Sequence, residues 1–230
     1  FGGSGWTTLV ARGTWRPLWA QGTHVVDFGV GRDDYRLRFR TSSIAGNWQT
    51  DAAGVLASNV QGETRLLNLW AQDAWTFDPR WKAVFGLRAE QWQAADGLTA
   101  FSPVSALAYP SRRENYVSPK AAISFQASPD TVVKASLGRA IRVPTVAELY
   151  GATATTNSQF INDPNLRAER SWTGELSAER DFGSTTLRAT AFAEDSRDAL
   201  YSQTIFDAIA NRNISRVVNV GRIATQGVEL

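Results

Sequence analysis

Cysteine and methionine are absent from this chain of 230 residues, and histidine occurs once, as His24. Without cysteine, neither a disulfide framework nor a thiolate metal site can form. A single histidine supports no His-rich metal site, and no serine has a recognisable histidine partner for nucleophilic catalysis. We therefore expect no enzyme activity, no metal site and no cofactor. Because position 1 is not methionine either, we expect the chain to be a segment of a longer protein.

Long apolar runs and a dominant charge are also missing. No stretch approaches the roughly 20 apolar residues that a transmembrane helix requires, so any passage through a membrane has to use strands. The 24 basic and 22 acidic residues give a net charge of +2. They are interspersed, which gives no overall basic face for nucleic acid but leaves room for local arginine clusters.

Period-two alternation is the pattern that the sequence does have. From Val117 to Ser128, apolar side chains occupy every second position and polar ones the positions between, which predicts a strand with one apolar and one polar face. It is longer than the roughly 10 residues that a tilted strand needs to cross a membrane. Similar patterns predict about nine strands, at about 5–17, 23–40, 66–77, 81–92, 117–128, 131–142, 171–182, 184–195 and 216–230. We expect the charges on the polar face to line a lumen, among them Lys120, Lys134, Glu175 and Glu179.

Short turns and long connections alternate along the predicted strands. Tight reversals are predicted at 77–80, 128–130 and 181–184, and long polar loops at about 95–116, 142–170 and 198–215. Short turns at one end and long loops at the other are typical of outer-membrane β-barrels. A soluble β-sandwich also alternates, but its strands average about five or six residues. Asp73 interrupts one apolar face, and we expect it near a membrane boundary, where a charge costs less.

Four segments resemble motifs of the TonB-dependent outer-membrane receptors. Residues 137–150 (LGRAIRVPTVAELY) are similar to the GRAFRAPT-x-x-ELY stretch, and residues 162–171 (NDPNLRAERS) to the NPNLKPE-x-S stretch. Residues 219–230 (NVGRIATQGVEL) are similar to the N-x-G-x-A-x-x-x-GVEL strand, and residues 69–75 (LWAQDAW) to YAQDEW. The resemblance gives a structural role to the matching positions Arg139, Arg142, Pro144, Glu148, Leu149, Asn162, Pro164, Asn165, Leu166, Glu169, Asn219, Gly221, Gly227 and Glu229.

The resemblance implies an all-β, antiparallel transmembrane barrel of about 22 strands around a plug, in the outer membrane. Residues 1–230 would be part of that barrel, without the plug, the TonB-contacting box or the barrel end. The implied function is uptake of a scarce, bulky ligand, most simply a ferric siderophore, energised by the TonB complex through the plug. Cobalamin, oligosaccharides and other metal chelates stay open as ligands. A passive porin-like channel and a surface adhesin barrel are the alternatives. Uptake that depends on TonB would exclude both of them.

Candidate ligand contacts are arginine and tyrosine side chains in the predicted loops. Arg112, Arg113 and Tyr116 lie close together in the sequence, and arginine with an aromatic ring suits an anionic ferric siderophore. The alternative is that the two arginines pair with lipopolysaccharide phosphates or with neighbouring acids. Tyr150 could coordinate iron, although the resemblance places it in the ELY motif. In haem receptors of the family a ligand histidine lies between the first two motifs, and this chain has none there, which disfavours haem.

Overall fold

The computed structural model describes residues 2–102, 105–154 and 157–230, and it is almost entirely strand. One sheet contains twelve strands, nine of which have 11 or more residues. The strands are β1 (Gly5–Trp15), β2 (His24–Ser42), β3 (Leu56–Asp78), β4 (Trp81–Ser102), β5 (Ser105–Ala108), β6 (Arg112–Ser128), β7 (Thr131–Arg142), β8 (Thr153–Ala154), β9 (Ser158–Ile161), β10 (Glu169–Asp181), β11 (Thr186–Asp207) and β12 (Arg212–Glu229). A 3-10 turn covers Trp19–Gln21, and one short helix, α1, covers Val146–Tyr150. None of the helices in the described residues has the length and apolarity to cross a membrane.

The long strands follow one another as antiparallel neighbours, in the order β1-β2-β3-β4-β6-β7-β10-β11-β12. Short β9 pairs in parallel with Asn213 to Arg216, near the start of β12, and β8 pairs with β9. Two residues join β3 to β4 and two join β6 to β7, as the sequence predicts. We call the end with these turns the lower end of the sheet and the opposite end the upper end. The nine long strands and their antiparallel order confirm the predicted fold class.

Two of the predicted long loops are wrong in extent, because the strands continue into them. β4 runs to Ser102 and β6 begins at Arg112, while only residues 208–211 separate β11 from β12. Where the predicted strands stop, the outward side chains are polar, for example Gln91, Gln93 and Asn115, so the apolar alternation ends while the backbone ladder goes on. The third predicted loop, 142–170, contains α1, β8 and β9. Residues 103–104 and 155–156, which fall in these predicted loops, lie outside the described part.

The two faces of the sheet differ in polarity. Helix α1 packs on one face, which we call the inner face. The outer face is apolar across the middle of the strands, and Leu69, Phe85 and Leu137 are each more than half exposed there. Strand register places the predicted lumen charges on the inner face. Lys120 lies opposite Gly86 and Lys134 opposite Ser124, and both pairs are on the side of the sheet where α1 packs. A charged inner face opposite an apolar outer face is the arrangement of a membrane barrel wall.

A belt of aromatic rings marks the lower end of the outer face. Trp75, Phe77, Trp81 and Phe125 follow one another with ring centroids 4.9, 6.2 and 4.4 Å apart. Asp73 lies next to this belt, and its Oδ2 is 2.7 Å from Nδ1 of His24, which stacks on Trp75. The outward-facing carboxylate therefore has a partner at the aromatic boundary, where the sequence places it.

Candidate functional site: the interior strap and the upper inner wall

The segment between β7 and β10 folds back across the inner face, and we call residues 143–154 and 157–168 the interior strap. Its first element is α1, which begins with a capping box. Thr145 Oγ1 accepts a hydrogen bond from Glu148 N (3.3 Å), and Thr145 N donates to Glu148 Oε2 (2.8 Å). Arg142 Nη2 also donates to Glu148 Oε1 at 2.6 Å. The box satisfies two backbone groups that a helix start leaves without partners, so it fixes where α1 begins.

Glu148 is charged within this capping box. Burial raises the pKa of its carboxyl, but hydrogen bonds from the Thr145 backbone and from Arg142 outweigh burial and leave the pKa below its usual value. The carboxylate therefore stays ionised at neutral pH and holds Arg142 and the helix start together.

Helix α1 buries Val146, Leu149 and Tyr150, which are 0, 0 and 1% exposed. Two glycines of the sheet make room for the tyrosine ring. A Cβ atom at Gly62 or at Gly97 would lie 2.4 Å from a ring carbon of Tyr150. Since real Cβ contacts are never that short, the tyrosine can dock only because both sites lack a side chain.

Tyr150 is further held by its backbone and by a second tyrosine. Thr99 Oγ1 donates to the Tyr150 carbonyl at 2.7 Å, and the ring stacks on Tyr109 with centroids 5.3 Å apart. Burial raises the pKa of the Tyr150 phenol. The structure thus places this candidate iron contact in the packed core between strap and wall, facing away from the lumen.

The second half of the strap is tied to β6 and to the first half. Asn162 Nδ2 donates to the Leu149 carbonyl (2.8 Å) and to the Tyr109 hydroxyl (3.1 Å). Arg112 Nη1 donates to the Pro164 carbonyl at 2.6 Å. The Arg112 guanidinium also lies 5.5 Å from the centroid of the Trp92 ring. This arginine is therefore shared between the wall and the strap.

The strap ends against β11 and β12. The Asn219 side chain accepts from Arg167 N (2.8 Å) and donates to the Arg167 carbonyl (2.9 Å) and to the Asp198 carbonyl (2.7 Å). Buried Asp198 pairs with Arg167 at 2.7 Å and with Arg170. Glu169 accepts a hydrogen bond from Leu200 N at 3.1 Å. The Asn219 side chain thus satisfies the backbone N–H and carbonyl of Arg167, which would otherwise need water as their partner.

One apolar cluster joins the strap to both sides of the sheet. Leu166 and Trp92 of β4 are fully buried in it, and Val217 of β12 is nearly so. Pro144, at the start of the strap, is also fully buried. Most positions that the resemblance marks as structural therefore lie in the strap or hold it to the wall.

The remaining motif positions lie outside the strap core. Arg139 is on the outer face, opposite Trp172. Gly227 lies under the Phe192 ring, and a Cβ atom at this position would be 2.8 Å from a ring carbon. Asn165 N donates to Asp163 Oδ1 at 2.8 Å. The other two are Gly221, with open space around its Cβ position, and exposed Glu229.

Arg112, Arg113 and Tyr116 are on strand β6, so they do not form the loop cluster that the sequence predicts. Neighbouring strand residues face opposite sides. Arg112 and Tyr116 face inward, and both contact Glu114, with Arg112 Nη2 at 2.5 Å from Oε1. Arg113 faces outward, with Nη2 3.4 Å from Gln93 Oε1. The inner group of arginine, glutamate and tyrosine can offer hydrogen bonds and charge to a polar ligand.

Several residues that hold the strap carry no short-range signal. Tyr109, Asp198 and Asn219 contact strap residues that are 31 to 53 positions away in the sequence. Local patterning cannot report such pairs. In contrast, the spacing of Thr145 and Glu148 is the capping-box signature and could have predicted α1. Within the described ranges, no group of three or more His, Asp or Glu side chains is arranged to hold a metal ion.

Residues 2–230 match the family described as TonB dependent receptor-like, beta-barrel. The chain belongs to this family of receptor barrels of the outer membrane, which agrees with the expectation that it is not an enzyme. No curated protein matches the sequence.

Solved structures share the fold. The copper transporter OprC superposes with a TM-score of 0.70 at 16% identity, over 97% of this chain and 34% of OprC. The ferric yersiniabactin uptake receptor FyuA from Yersinia pestis gives 0.64 at 16% identity, over 97% and 32%. The Serratia marcescens hemophore receptor HasR, solved as a double mutant with its hemophore HasA and heme, gives 0.63 at 13%, over 96% and 37%. The chain thus spans about a third of the length of the structures it resembles.

Proposed function

We propose that residues 1–230 form part of the wall of an outer-membrane receptor that takes up a scarce, bulky ligand with energy supplied through TonB. The observation that carries the proposal is the family match over residues 2–230, on a sheet with a charged inner face and an apolar outer face. A water-filled or plug-filled lumen requires the first face, and lipid requires the second. TonB would act through a plug that these residues do not include.

For the ligand we propose an anionic ferric chelate of the siderophore class. Support comes from the inward-facing Arg112 and Tyr116 at the upper inner wall, because guanidinium and phenol groups suit an anionic, aromatic chelate. FyuA, one of the solved structures with this fold, is a ferric yersiniabactin uptake receptor. Arg113 and Tyr150 do not face the lumen, so we assign them no ligand contact.

Uptake by the full-length receptor tests the function. Cells that express it would be given iron-labelled ferric catecholate or ferric hydroxamate chelates, with and without TonB. We expect accumulation of one chelate only in the presence of TonB. Equal accumulation without TonB would establish the passive channel instead, and surface binding without any uptake would establish the adhesin.

Two adjacent arginines provide a matched test of the ligand contact. Arg112→Gln removes an inward guanidinium, and Arg113→Gln removes the outward one beside it. Loss of a charge-assisted hydrogen bond of about 1.5–3 kcal/mol predicts about 10- to 150-fold weaker chelate binding for Arg112→Gln, and no change for Arg113→Gln. Tyr116→Phe, which removes only a hydroxyl, should weaken binding in the same direction.

Arg112 also holds the strap through Pro164, so its variant needs a structural control. Hydrogen exchange of strap amides would report whether the strap has loosened. Weaker binding with unchanged strap exchange supports a direct contact. Equal affinities of the Arg112 and Arg113 variants would refute the proposed contact.

A further inference from the structure

A row of polar and charged side chains crosses the outer face at the upper end of the apolar region. Strand pairing places Asp34 opposite Arg65, Arg65 opposite Gln93, and Gln93 opposite Arg113. The row therefore spans four neighbouring strands, β2, β3, β4 and β6. It lies on the face that meets lipid lower down, which is an unusual place for so many charges.

Arginine dominates this region, which we call the outer arginine patch: Arg32, Arg36, Arg38, Arg65 and Arg113, with the carboxylates Asp34 and Glu63. Asp34 accepts hydrogen bonds from Arg32 (2.5 Å) and Arg65 (2.7 Å). Glu63 accepts from Arg36 (2.7 Å) and Arg38 (2.8 Å). Two carboxylates cannot neutralise five guanidinium groups, so the patch keeps a net positive charge.

The patch borders a cleft, and an apolar groove lies directly below that cleft. The cleft has a volume of about 480 Å³ and is lined by Arg32, Asp34, Arg36, Glu63 and Arg65, with other residues. The groove has a volume of about 670 Å³, and its apolar lining includes Leu9, Val30, Leu67, Leu69, Ala89 and Val117. Arg32 lines both spaces. A molecule that fills both must therefore carry negative charge at one end and apolar chains at the other.

The height of the patch fits the surface of a membrane. Arg65 and Trp75 face outward on the same strand, and ten residue steps of about 3.3 Å separate them by about 33 Å along it. At a strand tilt of about 40°, this distance corresponds to about 25 Å along the membrane normal, the height of the apolar band of such barrels. With the aromatic belt at one boundary, the patch lies at the headgroup level of the other.

We propose that the outer arginine patch and the groove below it bind lipopolysaccharide of the outer leaflet. The arginines hold the phosphate groups of its lipid A, and the groove takes acyl chains. Arginine suits phosphate because its planar fork donates two parallel hydrogen bonds. The upper end faces the outer leaflet because short turns lie on the periplasmic side of such barrels. The site is on the opposite face from the proposed ligand contacts, so it does not depend on the identity of the transported ligand.

The test is native mass spectrometry of the full-length receptor in detergent, with defined lipids added. The probes are a deep-rough lipopolysaccharide with two lipid A phosphates, its dephosphorylated form, phosphatidylglycerol and inorganic phosphate. The test variant is Arg65→Gln with Arg113→Gln. The control is Arg12→Gln with Lys134→Gln, which removes two positive charges from the inner face. Heat-modifiable migration confirms that each variant is folded.

We expect the test variant to bind phosphorylated lipopolysaccharide at least about tenfold more weakly than the parent and the control. Dephosphorylated lipopolysaccharide should bind the parent as weakly as phosphorylated lipopolysaccharide binds the test variant. Undiminished binding to the test variant would overturn the proposal. So would an equal loss in the control, equally tight phosphatidylglycerol binding, or displacement of the glycolipid by millimolar phosphate. If the double variant does not fold, Arg65→Lys replaces it, because this change keeps the charge and removes the bidentate fork. Parent-level binding by Arg65→Lys would then count against the proposal.

Discussion

Leu166 is the side chain on which docking of the interior strap depends most directly, and its truncation gives a measurable prediction. The side chain is 0% exposed and packs in the cluster with Trp92 and Val217. Leu166→Ala removes three carbons from a site surrounded on all sides. Such changes in packed cores cost about 2–5 kcal/mol, because the transfer energy is lost and a cavity is left.

Most of that cost should fall on local opening of the strap, since the strand ladder does not include Leu166. Amide exchange in peptides from 144–151 and 161–168 should then accelerate by about 30-fold to several thousand-fold, as 1.4 kcal/mol corresponds to tenfold. The measurement is hydrogen–deuterium exchange of the full-length receptor with mass spectrometry. Strand peptides from β6 and β7 provide the internal reference.

Leu69→Ala is the matched control, because it removes the same atoms from a leucine that is 61% exposed on the outer face. Its strap exchange should equal that of the parent. An acceleration of less than threefold for Leu166→Ala would refute the view that the cluster holds the strap. Equal acceleration in both variants would show that general loosening of the barrel, rather than this cluster, controls strap opening.

Two further predictions concern the same strap. Glu148 has a pKa below its usual 4.5, so its contribution is complete above pH 4.5 and is lost as the pH falls through the lowered value. Exchange at Leu149 and Gly151, corrected for intrinsic rates, should accelerate in that window in the parent and not in Glu148→Gln; parallel pH profiles would contradict the assignment. Gly62→Val places a Cβ 2.4 Å from the Tyr150 ring and should destabilise strap docking by about 1–3 kcal/mol. Gly5→Val, whose Cβ meets nothing within 4 Å, should leave strap exchange unchanged, and an equal effect of both would exclude the steric explanation.

The faces of the strands could be predicted from the sequence because two solvents impose them. Lipid on one side and water on the other force the alternation from Val117 to Ser128, and strand register confirms which side chains share a face. The reversals at Pro79 and Pro129 were equally predictable, since proline cannot donate a ladder hydrogen bond. Register then follows from the turns.

The upper limits of the strands could not be predicted in the same way. Above the apolar band, outward residues such as Gln91 and Asn115 meet water and headgroups, so both faces become polar while pairing continues. A polar stretch of strand and a polar loop have the same composition. Only the ladder itself, which runs on β4 to Ala100 opposite Asn59, distinguishes them.

The contents of the strap were outside the reach of periodicity for a different reason. Helix α1 has five residues, fewer than two turns, so no repeat can establish itself. The facing of Arg112 and Arg113 was in principle predictable, because adjacent strand residues always diverge once the segment is known to be strand. Because the predicted loop extended to residue 116, Arg112 and Arg113 were expected side by side in a loop rather than on opposite faces of β6.

The cluster around Leu166 has a mechanical consequence for the shape of the barrel mouth. It joins Trp92 of β4 to Val217 of β12, strands at the fourth and ninth positions in sheet order, through a single body of packed side chains. The strap is thus a chord that subtends an arc of six strands, and the volume of the cluster fixes the length of that chord. Because packed interiors resist compression, the curvature of this arc is held constant. Outward flexing of the upper strands would first have to separate the chord from one of its ends.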